Sequence, residues 1–141
     1  MNGDRILLDT CAIIYRANGE PIAAPAKNAV HRAALAGGVL ISPVSAWEVG
    51  LLSRPGRTKY TPFLPTPNAW FARVMSEPGV QEAPFTRDIA IDSSHLPQPF
   101  HDDPADCILV ATARALNVPL MTRDARILDY GRAGHVTAIA C

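Results

Sequence analysis

The chain has no excess of either charge: 13 lysines and arginines balance 13 aspartates and glutamates. No global field therefore draws in a polyanion, and a nucleic-acid partner would need a local basic patch. Cysteine is scarce. Cys11, Cys107 and Cys141 are widely and irregularly spaced with no CxxC pair, which argues against a disulfide framework or a thiolate zinc site and leaves them as small buried residues. His31, His95, His101 and His135 lack the ligand spacing of an HExxH motif, so each is expected in a surface or core role. No apolar run reaches the length of a membrane span. Met1 to Arg5 lead straight into an apolar run with no basic region, long apolar core or small-residue cleavage site, so a cytoplasmic location is expected. Internal repeats and low-complexity segments are missing as well.

What is present suits one domain over residues 1–141, with 48% apolar and 18% charged residues. Ile6-Leu7-Leu8 is apolar without alternation, the pattern of a strand covered on both faces. Val39 to Ser42 and Val118 to Thr122 repeat that pattern, and Val80 to Phe85 and Val136 to Ala140 are further expected strands. Helices are expected from Thr10 to Arg16, about Pro25 to Ala36, Pro43 to about Arg54, Asn68 to Glu77 and Thr86 to His95. Two more follow, a well-buried one after Pro104 and a short one through Ile127 and Leu128. In the helix after Pro43, the residues Val44, Trp47, Leu51 and Leu52 stand at core spacing, and Glu48 turns inward or to the edge of the core. Alternating strands and helices predict an α/β sandwich with a mainly parallel sheet, since parallel neighbours need helical crossovers. The pattern does not give the order of the strands.

In such sheets the ligand crevice lies beyond the carboxyl ends of the strands. Asp9 closes the first strand, Asp124 follows the strand that ends at Thr122, Glu48 lies in the helix after the second strand, and Asp106 lies in the first turn of a helix. Converging carboxylates repel one another, and burial raises the cost, so a cluster of them implies a divalent cation. Mg²⁺ or Mn²⁺, as one or two ions, suits oxygen ligands, and the matching chemistry is phosphodiester cleavage. Thr10, Ser45 and Thr122 stand beside the acids and are candidates to hold them through hydrogen bonds. Arg54, Arg57 and Lys59 in the proline-rich connection, and Arg123 and Arg126 near the fourth acid, are candidates for RNA phosphate contacts.

The stretches LLDTCAIIY, SAWEVGLL, DDPADCILVATA and LMTRDARIL resemble, in order, the four motifs of PIN-domain nucleases, especially the VapC-type toxins of bacterial toxin–antitoxin pairs. The similarity runs from Ile6 to Leu128. It places the family's four acids on Asp9, Glu48, Asp106 and Asp124. It implies a PIN-like three-layer α/β/α sandwich and a Mg²⁺- or Mn²⁺-dependent endoribonuclease. It also implies a homodimer silenced by a cognate VapB-type antitoxin, with no part in a membrane. In the third motif, Asp103 precedes Pro104 and is a natural N-cap, while Asp106 matches the family's pattern. Asp106 is the expected third ligand, with Asp103 an outer one.

Each acid also has a structural reading. Asp9 and Asp124 could cap the helices that follow them, and Glu48 could pair with an arginine such as Arg123. Trp70, Phe71 and Met75 form either core or, if exposed, an antitoxin groove. Two other functions compete with the nuclease. In a receiver-like signalling domain Asp9 would accept a phosphoryl group, but that architecture wants a lysine near the last strands, and only Lys27 and Lys59 occur. A non-catalytic interaction module would have no need of all four acids.

Overall fold

The computed structural model describes residues 4–56 and 62–141. Its elements run β1 (Ile6–Leu8), α1 (Thr10–Ala17), α2 (Ala24–Leu35), β2 (Val39–Ile41), α3 (Pro43–Leu52) and α4 (Pro67–Met75). Then come β3 (Val80–Glu82), α5 (Arg87–Asp92), α6 (Pro104–Leu116), β4 (Leu120–Thr122), α7 (Ala125–Arg132) and β5 (Ala138–Ala140). The five strands form one sheet in the order β3-β2-β1-β4-β5. Every pairing is parallel. The α/β sandwich is thus as expected. Its strand order differs from the 2-1-3-4-5 of receiver domains, which removes that alternative.

Three-residue strands suffice because both faces of the sheet are covered. Leu7, Leu40 and Leu120 face one layer, built with Ile89 of α5, Leu109 and Val110 of α6, and Ile127 and Tyr130 of α7. Ile6, Leu8, Val39, Ile41 and Met121 face the other, built with Ala12 and Ile13 of α1, Val30 and Ala33 of α2 and Val74 of α4. Successive residues of a strand point to opposite faces, so a continuous apolar run serves two cores at once.

Helix starts follow the local chemistry. Ser42, Thr66, Thr86, Asp103 and Asp124 each accept a backbone N–H of the helix they precede. Pro43, Pro67 and Pro104 open three of those helices, where a missing N–H is harmless. At the end of α6, Asn117 takes the left-handed conformation with φ 53°.

Trp47 corrects the sequence reading: it is 53% exposed, and the buried face of α3 is Val44, Ser45 and Val49. Trp70, Phe71 and Met75 are partly buried against the α1/α2 layer, with Trp70 edge-on to Phe63 at 4.7 Å between ring centroids. The core reading holds for them.

Gly79 packs where no side chain fits. Its φ is +83°, and a Cβ there would lie 2.2 Å from the carbonyl oxygen of Ala34 in α2. Gly19, at φ +69°, has nothing within 4 Å of the same position. Gly79→Ala should therefore cost about 3 kcal/mol in urea unfolding, combining overpacking with backbone strain, against about 1 kcal/mol of strain alone for Gly19→Ala. Equal losses would mean that α2 and the start of β3 are not in close contact.

Candidate functional site

The carboxyl ends of β1 and β4 open into a cleft of about 390 Å³ that is lined by Asp9, Glu48, Asp103, Asp106 and Asp124 together with Thr10, Arg123 and Arg126. The register of the sheet builds it. Leu8 pairs with Met121, and the backbone N–H of Asp9 donates to the Met121 carbonyl at 2.9 Å, so Asp9 and Thr122 leave the sheet side by side. Thr122 Oγ1 donates to Asp9 Oδ2 at 2.6 Å and accepts the backbone N–H of Asp124 at 2.9 Å. One hydroxyl thereby fixes the first acid to the fourth.

A second hydroxyl joins the first motif to the second. Thr10 Oγ1 donates to Glu48 Oε1 and lies 2.9 Å from Ser45 Oγ. Thr10 has a single proton to give, so Ser45 supplies its own to Thr10 while Thr10 holds the carboxylate. Both hydroxyls are buried, Ser45 completely.

On α6, Asp103 is the cap, accepting the N–H groups of Ala105 and Asp106 at 3.0 and 3.3 Å. Asp106, one turn in, is buried, and its Oδ2 lies 3.2 Å from His101 Nε2 and 3.4 Å from a terminal nitrogen of Arg126. Arg126 also pairs with Asp124 at 3.0 Å, so its guanidinium bridges the third and fourth acids. One ligand atom each from His101, Asp106 and Asp124 lie within 4.8 Å of one another; Asp9 and Glu48 line the same cleft outside that tight group.

The electrostatics divide the four acids unequally. Burial pushes Asp9 up from the ordinary carboxylate range, against hydrogen bonds from Thr122 and Cys11, and the charge on Asp124 adds to the rise. Burial also raises Glu48, with Thr10 opposing it and Asp9 and Asp103 assisting. Asp106 is pushed up to about 7, first by burial and then by the charges of Asp9, Asp103, Asp124 and Glu48. Asp124 is the exception. Burial alone would raise it, but hydrogen bonds from the Arg126 side chain and from the backbone of Arg126 and Ile127 hold it below the usual value. Burial and Asp9 push the Cys11 thiol up to about 12, so it stays a thiol and donates to Asp9 Oδ2 at 3.4 Å.

A cleft with an excess of buried carboxylate suits a hard cation. Asp106 keeps Oδ1 without a hydrogen bond among the described residues, and Asp106 is the acid whose proton is held most plainly against water. The donor set is oxygen-rich, and the Cys11 sulfur is protonated, which fits Mg²⁺ or Mn²⁺ and not a thiolate metal.

The family model for the PIN domain matches residues 6–133. The chain belongs to the PIN domain family. No curated protein matches it at a significant level. Among solved structures it resembles VapBC2 from Rickettsia felis bound to a DNA fragment from their promoter, with TM-score 0.64, 14% identity, and 96% of this chain and 97% of that one covered. DNA-bound VapBC from Salmonella typhimurium gives TM-score 0.56 at 14% identity over 96% and 97%. FitAcB from Neisseria gonorrhoeae gives 0.55 at 18% identity over 95% and 96%. At such identities the likeness is one of fold.

In this PIN domain the four expected acids, Asp103 and Thr10 meet in one cleft, with Thr122 behind Asp9 and Ser45 behind Thr10. The capping alternative holds for Asp124, which caps α7, and fails for Asp9, whose side chain makes no cap. Glu48 does not pair with Arg123, whose guanidinium donates to the Pro21 carbonyl at 2.6 Å and lies 4.0 Å over the Tyr15 ring. Arg54 is exposed at the end of α3, while Arg57 and Lys59 lie outside the described residues. A larger cleft of about 720 Å³, between the end of α6, α7 and β5, contains none of the acids. Two contacts had no such signal in the sequence. His101 sits two positions before the Asp103 cap, and that spacing was its only mark; Arg126 stood out as a candidate for RNA contact, but its bridge between two acids was not expected.

Asp106 makes stability depend on pH. Unfolded, it releases its proton near 3.8; folded, near 7. Between those values the folded state holds a proton that the unfolded state has lost, so stability falls as pH rises from about 4 to about 7. Asp9 and Glu48 act in the same direction, and Asp124, with the opposite sign, acts below that window. Asp106→Asn should flatten the decline and raise Tm at pH 8, without divalent ions, by about 3 °C, the effect of about 1 kcal/mol in a chain of this size once solvent screening is allowed for. An unchanged or lower Tm would mean that Asp106 is not under electrostatic strain.

Proposed function

We propose that this PIN domain is a metal-dependent endoribonuclease, the toxin of a bacterial toxin–antitoxin pair, in which Asp9, Glu48, Asp106 and Asp124 hold one or two Mg²⁺ or Mn²⁺ ions. The observation that carries the reading is the convergence of those acids in one cleft, three of them pushed up from the ordinary carboxylate range by burial and mutual repulsion. A divalent ion held there supplies an activated water and charge neutralisation at the scissile phosphate. The chain's own groups do the rest. Thr122 and Thr10 fix the Asp9 and Glu48 carboxylates, and Asp103 acts as an outer acid through its cap of α6. Arg126, more than half exposed at the rim, offers a guanidinium to an RNA phosphate, as do Arg123 and Arg54.

The VapBC and FitAcB structures support the partner reading, a cognate VapB-type antitoxin that silences the site; a cytoplasmic homodimer completes the proposal. No helix among the described residues is long and apolar enough to cross a membrane. The non-catalytic alternative would leave the cost of gathering these acids unexplained.

Purified protein free of antitoxin should cut a mixed RNA pool in Mg²⁺ or Mn²⁺ and stop on chelation. Asp9→Asn should lower the rate by roughly 100-fold or more with its fold intact, the scale of effect seen when a charge-stabilising group is removed from an active site. A folded Asp9→Asn variant that cuts as well as the parent would sink the assignment. Because the ion displaces protons, Mn²⁺ affinity should also rise with pH up to about 7, as Asp106 ionises, and level off above it. Affinity independent of pH between 5 and 8 would count against Asp106 as a ligand.

A further inference from the structure

His101 belongs to no motif that the four acids define, yet its ring is held on several sides. Its Nδ1 accepts the backbone N–H of Asp103 at 3.1 Å. Its ring stacks on Phe100 at 4.2 Å between centroids, Phe100 packs on Tyr130 at 4.4 Å, and the His101 carbonyl accepts from Cys107 Sγ at 3.3 Å. Nε2 is shielded from solvent and has no partner in hydrogen-bonding geometry, although Asp106 Oδ2 is 3.2 Å away.

Two roles compete for that nitrogen. Coordinating a cation through Nε2 needs a lone pair there, which sends the ring proton to Nδ1. Nδ1–H would then face the Asp103 N–H, and that backbone donor would lose its acceptor. The other role needs no such change. With Nδ1 accepting, the neutral ring carries its proton on Nε2, and a rotation of the Asp106 carboxylate brings Oδ2 into line with it.

We propose that His101 is a positioning residue: its Nε2–H holds Oδ2 of Asp106 and leaves Oδ1 turned to the cleft for a divalent cation. The inference rests on the cation-binding reading above. Carboxylate ligands are commonly oriented by a hydrogen bond behind them. Arg126 also reaches Oδ2, but its side chain is 57% exposed and free to leave when a cation arrives, whereas the His101 side chain is 17% exposed and stays.

Two measurements test this. In the metal-free native protein, long-range ¹⁵N–¹H imidazole correlations should show His101 protonated at Nε2 and bare at Nδ1; the reverse tautomer would overturn the proposal, whatever the variants do. Mn²⁺ binding followed by electron paramagnetic resonance should be weakened about 10-fold or more in His101→Met and recovered to within about threefold in His101→Gln, whose amide N–H stands near the position of Nε2–H. The native complex should show no nitrogen coupling from imidazole. Equal affinity in the native protein and a folded His101→Met variant would overturn the inference alone, as would imidazole coupling to Mn²⁺. A folded native protein that binds no Mn²⁺ would overturn the cation reading and the inference together.

Discussion

Everything in the cleft depends on the parallel register between β1 and β4. The pairings Leu7 with Leu120 and Leu8 with Met121 end both strands at the same level, so Asp9 and Thr122 emerge together and a single hydroxyl can serve the first and fourth acids. A slip of one residue would turn every side chain of a strand to the opposite face. Leu120 would then leave the α6 layer and Met121 the α1 layer, so the two cores that fix the sheet also fix the site. Geometry this specific comes from packing on both sides of three-residue strands, with no help from the strands' length.

The fold tolerates gathered carboxylates by treating them differently. Asp124 is compensated by backbone N–H groups at the start of α7 and by Arg126, and stays ionised. Asp9 and Glu48 each depend on one hydroxyl, and Asp106 has a histidine and an arginine near the same oxygen. All four acids line the cleft. A cluster arranged only for stability would have spread these charges or matched each with a cation, so their retention is a structural sign that something of opposite charge belongs there.

Much of the fold could be read from the sequence, because apolar runs without alternation mark buried parallel strands and because Pro43, Pro67 and Pro104 mark helix starts. The four acids could be read because each follows such a mark. Trp47 could not be placed: α3 is apolar on nearly every side, so its periodicity does not say which face is buried, and the structure chose Val44 and Val49. Strand order was out of reach because Ile6-Leu7-Leu8, Val39-Leu40-Ile41 and Leu120-Met121 carry no pairing signal beyond being apolar. The placement of His101 and the bridge made by Arg126 were missed for a different reason. Their roles depend on which way a ring or a guanidinium turns once α6 and α7 are side by side, and spacing along the chain does not contain that.

The central pair of strands joins segments far apart in the chain, Thr122 reaching back 113 positions to Asp9. Among the described residues no two neighbouring strands form a hairpin, since every pairing in the sheet is parallel. A chain made from its amino end emerges from the ribosome with Asp9 and Glu48 well before the segment that carries Thr122 and Asp124 exists. β4 must then add beside β1, with β5 following on its outer edge, before the charges face one another. Until β4 has been made the growing polypeptide therefore has Asp9 and Glu48 but no cleft, and whatever the finished cleft does waits for the segment that carries Thr122 and Asp124.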